Sequence, residues 1–277
     1  MAILAEAQRR NTFLLEGLAF ATQVLIAVSV ELGDDLGRGL FSQHGTLQGV
    51  DNARGVVAFE TAHGFFVEPA WQMFFERTHH IFTLTITWPD IIHAVNAIYV
   101  LGHIFVTLAA AFWLYFYRRQ AFAFVRNIVI LTNLFALVVY ENFPVAPPRL
   151  SGVLPFSHHA FTFQDTVFGV VEGGRSVGTS LAYNEFSAMP SVHMAWALVV
   201  GAVLLILARP LMVKLLGLIY PALMLVAVVV TGNHYLLDAA GGAAVLVLAT
   251  ICALAFERCK HRITWPRRLQ RPPVAFP

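Results

Sequence analysis

Six long apolar stretches decide what this chain can become. Residues 12–32, 91–117, 122–139, 189–207, 211–230 and 236–256 each approach the length a helix needs to cross a bilayer core, about 20 residues. Backbone polar groups in lipid must bond within their own segment, and a helix does this. Of the 277 residues, 58% are hydrophobic and 12% charged, against about 25% charged in a soluble domain. The expected fold is an all-α integral membrane protein, a six-transmembrane-helix bundle in a single domain over residues 1–277. The first stretch is the weakest, because it carries Glu16 and Glu31. Between the first and second stretches, residues 33–90 are mixed in character. Residues 56–66 and 74–86 are read there as short amphipathic helices in the first outer loop. Arg9 and Arg10 precede the first stretch, but Glu16 and the lack of a small-residue cleavage site argue against a cleaved signal.

Six spans place both termini on one side. Of the 18 basic residues, thirteen fall on that side: Arg9, Arg10, Arg118, Arg119, Arg126, Arg209, Lys214, Arg258, Lys260, Arg262, Arg267, Arg268 and Arg271. Five fall on the other: Arg38, Arg54, Arg77, Arg149 and Arg175. The positive-inside rule makes the termini cytoplasmic. Residues 33–90 and 144–188, with most of the histidines, are then extracytoplasmic. The expected localisation is the cell membrane, multi-pass, with its chemistry on the outer face. The basic tail, residues 258–277, is expected to lie along anionic lipid. A formal charge of +2 is too small to argue for a nucleic-acid partner. Cys252 and Cys259, seven residues apart on a helix, are about 10 Å apart along its axis, too far to bridge.

Three polar clusters fall at the outer ends of these spans, within residues 140–240. The first is Asn142-Phe-Pro-Val-Ala-Pro-Pro-Arg149, where the third span ends. The second is Ala188-Met-Pro-Ser191-Val192-His193, where the fourth begins. The third is Gly232-Asn233-His234-Tyr-Leu-Leu-Asp238, where the sixth begins. Topology brings all three to one membrane depth. His234 and Asp238 are four apart, so a helix stacks them on one face. A carboxylate on one imidazole nitrogen fixes the tautomer and leaves the other as nucleophile or base. An ionisable pair in a span reads as functional, although a pair that only satisfies two buried groups is the plainer alternative. His193 follows Pro190-Ser191, a helix start whose N–H groups bind anions, and suits a general acid. Arg149 matches phosphate oxygens through its planar fork; contact with lipid headgroups is the plainer reading of an interfacial arginine.

The second and third clusters resemble the second and third motifs of the type-2 phosphatidic acid phosphatase superfamily. With Pro-Val-Ala-Pro-Pro-Arg, the pattern resembles the inositol-phosphorylceramide-synthase-like branch, over about residues 53–256. The resemblance implies a phosphohistidine mechanism without metal or other cofactor. It implies His234 as nucleophile, Asp238 as its orienting carboxylate and His193 as acid. Ser191, the amide of Val192, Asn233 and Arg149 would hold the phosphate of a lipid phosphate or phospholipid. The sequence departs from the family pattern in four places. Asn142 stands for a lysine of the first motif, Leu150 for a proline, Val192 for a glycine, and Val228 for an arginine six residues before His234. The cradle is less cationic than in simple phosphatase members, and Asn233 and Arg149, together with Arg175 or Arg54, would have to compensate. Transfer of a phospho-headgroup between lipids is slightly favoured over hydrolysis by a lipid-phosphate phosphatase. A transporter also fits six spans but leaves the three clusters unexplained.

Several residues read as structural. His79-His80 and His158-His159 lack the spacings of membrane di-iron enzymes and are taken as loop histidines. Glu60 and His63, with Arg54, line either an entrance or a solvated helix face. Asn96, His103 and Asn133 are expected to be interhelical hydrogen-bonding groups.

Overall fold

The computed structural model describes residues 18–23, 25, 26, 29, 46–81, 84–152, 162–167, 179, 180 and 183–268. Helix α1 (Thr46–Ala62) and the short α2 (Glu68–Glu76) precede a hairpin, β1 (His79–Ile81) with β2 (Leu84–Ile86). Thr87 then donates both its N–H and its hydroxyl to Asp90, at 2.9 and 2.6 Å, a cap that starts α3 (Trp88–Ala97). One π-helical turn (Ile98–Gly102) joins α3 to α4 (His103–Tyr117). Then come α5 (Arg119–Asn142), a hairpin of β3 (Thr179–Ser180) and β4 (Tyr183–Asn184), α6 (Val192–Leu207), α7 (Leu211–Val230) and α8 (Leu236–Arg268).

Among the described residues, four helical stretches are long and apolar enough to cross a membrane: Trp88–Tyr117, Arg119–Asn142, Leu211–Val230 and Leu236–Lys260. Val192–Leu207 is apolar and shorter. These helices fit a multi-pass membrane protein. Most of the expected first span lies outside the described residues, but 18–23, 25, 26 and 29 are helical. The fourth expected span starts at Val192 rather than at 189, because Pro190 and Ser191 form its cap. The expected helix over residues 74–86 is replaced. Its apolar residues belong partly to α2, which ends at Glu76, and partly to the β1–β2 hairpin. The β-branched Ile81, Thr85 and Ile86 there suit a strand better than a helix.

Short α6 is central. It packs against α4, α5, α7 and α8, so its neighbours cover faces that a peripheral helix would show to lipid. Its closest partner is α7. A Cβ on Gly201 would lie 2.6 Å from the Gly217 carbonyl oxygen, and one on Gly217 2.8 Å from that of Gly201. Small residues that let backbones touch are a main source of helix association in lipid. Asn133 on α5 accepts from the Trp196 indole on α6 at 3.1 Å, the interhelical bond expected of it. Asn96 instead bonds to a loop, exchanging hydrogen bonds with Thr166 at 2.7 and 3.1 Å.

Helix α1 lies over the polar ends of the bundle. Its buried face is Val50, Ala53, Val56, Val57 and Glu60, and it packs with Val145, Ala146, Leu150, Phe186, Ala188 and Tyr235. Glu60 continues the apolar stripe at helical spacing, so it points inward. The reading of Glu60 on a solvated face is thereby corrected: it is fully buried.

Candidate active site

The C-terminal end of α5, the start of α6, the end of α7 and the start of α8 are tied together by backbone hydrogen bonds. Val145 pairs with Ser187 as a parallel bridge. The Arg149 N–H donates to the Gly232 carbonyl at 2.7 Å, and the Ser191 N–H to the Asp238 carbonyl at 2.9 Å. The last contact needs a glycine one turn along α8, since a Cβ on Gly242 would collide with the Ser191 carbonyl oxygen. All three sequence clusters thus meet in one place.

The turn after α7 carries His234. The N–H groups of Asn233 and His234 both donate to the Val228 carbonyl, at 3.2 and 3.1 Å. His234 is buried, and its Nδ1 lies 2.8 Å from the Ala188 carbonyl oxygen. A carbonyl only accepts, so Nδ1 carries the hydrogen and Nε2 of the neutral ring keeps its lone pair. Asp238 Oδ2 is 3.5 Å from the same Nδ1 and accepts from the Tyr235 N–H at 2.8 Å. The tautomer expected from Asp238 alone therefore has a second and nearer determinant, the Ala188 carbonyl. No side-chain pattern marks that group.

His193 is placed by rings. Tyr99 stacks on it with centroids 4.2 Å apart and planes at 17°. His103 lies 4.3 Å away and is itself 4.9 Å from Trp196. The centroids of His193 and His234 are 6.0 Å apart. Tyr99 and His103 come from the π-helical turn and the residue after it, and the Tyr220 hydroxyl donates to the Gly102 carbonyl of that turn at 3.2 Å. Such turns are frequent at functional sites. His103 was expected to be an interhelical hydrogen-bonding group; the contacts here are with the His193 and Trp196 rings.

The expected phosphate-binding residues are present but engaged. The Ser191 hydroxyl accepts from the Met194 N–H at 3.3 Å, capping α6, and Val192 is the first residue of that helix. Tyr140 steadies the same cap, donating its hydroxyl to the Pro190 carbonyl at 2.7 Å. Arg149 is buried, and its Nε donates to Asn233 Oδ1 at 3.0 Å. Its Nη1 faces Asp165 Oδ2 at 3.3 Å and Glu185 Oε1 at 4.0 Å, both nearly inaccessible. Asn233 also donates to Thr231 Oγ1 at 2.9 Å. Asn142 turns back to the Val138 carbonyl at 2.7 Å, and Val228 is fully buried among the apolar side chains of α6 and α7. Arg54 pairs with Asp51 at 2.8 Å on an exposed face. Arg175 and His158-His159 lie outside the described residues. His79 and His80 belong to β1, their rings bonded to the Phe74 carbonyl and Thr85 Oγ1. Among the described residues, no group of three or more His, Cys, Asp or Glu side chains is arranged to hold a metal ion.

Three residues that sequence reasoning did not place in the site come from α1 and α2. Glu60 accepts from the Leu237 N–H at 2.7 Å and Glu68 from the Leu236 N–H at 2.8 Å. Gln72 donates to the Val230 carbonyl at 2.9 Å. Carboxylates thus meet the N-terminus of α8 and an amide donor meets the C-terminus of α7, as unsatisfied helix ends require. The available signal was periodicity. Ala53, Val56, Val57 and Glu60 share one face, as do Glu68 and Gln72.

No curated protein and no solved structure matches the chain. A family model described as the PAP2 superfamily does match, over residues 54–252. The matched segment takes in α1's buried carboxyl, the aromatic clamp of the π turn and both histidine-bearing helix starts, and the chain belongs to the PAP2 superfamily.

Proposed function

We propose that this protein is a membrane-embedded enzyme that cleaves a phosphoryl bond of a lipid phosphate or phospholipid through a phosphohistidine on His234. The observation that carries this reading is the Nδ1–H of His234 given to Ala188 at 2.8 Å, with the ring of His193 only 6.0 Å away. Superfamily membership supports phosphatase or phosphotransferase chemistry in general. In the first step Nε2 of His234 attacks phosphorus, the bond to the leaving oxygen breaks, and that oxygen takes a proton from His193. In the second, neutral His193 takes a proton from water or an alcohol, whose oxygen attacks phosphorus as the P–N bond breaks. Asp238 stabilises the positive charge that His234 develops.

The α6 start, with Ser191 and the Val192 amide, and the Arg149–Asn233 pair hold the phosphoryl oxygens. Arg149 is already matched by Asp165 and Glu185, so the site offers little excess positive charge to a doubly charged monoester. A singly charged phosphodiester is the better fit. This favours transfer of a phospho-headgroup to an alcohol-bearing lipid, as the inositol-phosphorylceramide-synthase-like resemblance also implies. In this reading the termini are cytoplasmic, the site is extracytoplasmic, and no metal takes part.

Purified protein in detergent with EDTA and a phosphorus-labelled phospholipid tests the mechanism. The expected result is turnover with an acid-labile, base-stable label on His234. Activity that requires added Mg²⁺ or Zn²⁺, with no label on the chain, would remove the phosphohistidine. Adding a lipid alcohol separates the outcomes, since a transferase diverts label to it, whereas hydrolysis releases the label to water, as phosphate from a monoester and as phospho-headgroup from a diester. For orientation, a Thr61→Cys variant lacking both native cysteines is expected to react with an impermeant maleimide on intact cells. Labelling only after lysis would reverse the topology.

A further inference from the structure

Glu60 and Glu68 present more negative charge to the start of α8 than that helix end can hold. With Asp238 they bind three consecutive N–H groups: Tyr235 by Asp238, Leu236 by Glu68 and Leu237 by Glu60, all at 2.7–2.8 Å. All three carboxyl groups are fully buried, and among the described residues one oxygen of each (Glu60 Oε2, Glu68 Oε2 and Asp238 Oδ1) has no hydrogen-bond partner. A helix N-terminus carries about half a positive charge, too little to offset the desolvation of three buried anions. A shared proton relieves this, because the second oxygen of one glutamate then has a hydrogen to give and that of the other can accept it.

We propose that Glu60 and Glu68 hold one proton between them and act as positioning residues for the active site, fixing the first turn of α8 and so His234 and Asp238. The proposal rests on the reading of His234 and Asp238 as the reacting pair. It requires the site to keep its geometry only while the proton is held. The groups facing Glu60 are Glu68 from α2 and, from the α7–α8 junction, Asp238 and Tyr235, whose buried phenol stays protonated. Burial first, and then the charge of Glu68, push the Glu60 carboxyl up to about 9. Burial also raises Glu68.

The test is the pH profile of kcat for the full-length protein in detergent, for wild type and for Glu60→Gln, Glu68→Gln and Glu60→Ala. Wild-type kcat is expected to fall as pH rises through about 9. Glu60→Ala should lose about tenfold or more at neutral pH, as outer-shell partners do elsewhere. Glu60→Gln, which keeps an acceptor for Leu237 and a hydrogen for Glu68, should restore most of kcat and lack the alkaline fall, with KM unchanged. Thermal midpoints give a second readout. The folded state keeps a proton that the unfolded chain releases near 4.5. The stabilisation is therefore complete below that pH and lost as pH climbs through about 9, so wild type should lose midpoint across this window relative to Glu60→Gln. A Glu60→Gln variant as inactive as Glu60→Ala, or an unchanged alkaline fall in both glutamine variants, would overturn the proposal. His234→Ala in the same assay separates the two failures. If it is inactive while the alkaline fall persists in both glutamine variants, only the proton-sharing pair is lost; if it is active, the assignment of the reacting pair is lost.

Discussion

His234 and His193 stand 6.0 Å apart between ring centres, yet the first is held through a nitrogen and the second against ring faces. A hydrogen bond from Nδ1 to Ala188 fixes which nitrogen carries the proton. Stacking on Tyr99 fixes the plane of a ring without choosing its protonation state. The difference suits the two proposed tasks. A nucleophile must offer one particular lone pair, whereas a general acid must give a proton and then take one back. The scaffolds differ accordingly, with hydrogen-bonded turn backbone on one side and a π-helical turn on the other.

The comparison breaks most sharply under substitution of the two rings. His234→Ala is expected to lower kcat by more than about 10³-fold for every substrate, whatever its leaving group. His193→Ala should cost about 10²–10⁴-fold with a lipid alkoxide as leaving group. Single-turnover release of nitrophenolate from a nitrophenyl ester, whose leaving oxygen needs no proton, should be slowed much less. Equal losses with both substrates would deny His193 the acid role. Next comes Asp238→Asn. Because Ala188 already holds the tautomer, the loss should stop at about 10–100-fold; a loss as deep as that of His234→Ala would return the tautomer to Asp238. The smallest effect belongs to Tyr99→Ala. A ring contact is worth about 0.5–1.5 kcal/mol, so kcat should fall about two- to tenfold, with the loss confined to the acid step and attack by His234 intact.

How much of this was legible depended on how local the signal was. Four apolar spans and a shorter fifth helix read well, because lipid imposes a length and a composition on each helix separately. The two histidine motifs were legible too, as short stretches whose spacing already makes a geometry. The polar layer from α1 and α2 was not. Glu60, Glu68 and Gln72 acquire their meaning from partners across the whole chain, and nothing near them in sequence shows which helix end they will meet. Tyr99 and His103 were hidden differently. A hydropathy window passes smoothly over residues 88–117 and cannot register one π-helical turn. The Ala188 carbonyl is beyond any side-chain pattern, being backbone.

The span between capping groups and the helix end they cap bears on biosynthesis. Glu68 precedes its partner Leu236 by 168 residues, and Glu60 precedes Leu237 by 177. At about 5–20 residues per second, roughly ten to thirty seconds of translation separate the two. Through that interval most of the bundle is being inserted while two carboxyl groups wait for backbone not yet made. Carboxyls that keep a proton would be cheaper to park against lipid or half-formed helices than anions. The emergence of α8 would then both complete the cap and bring His234 and Asp238 into place.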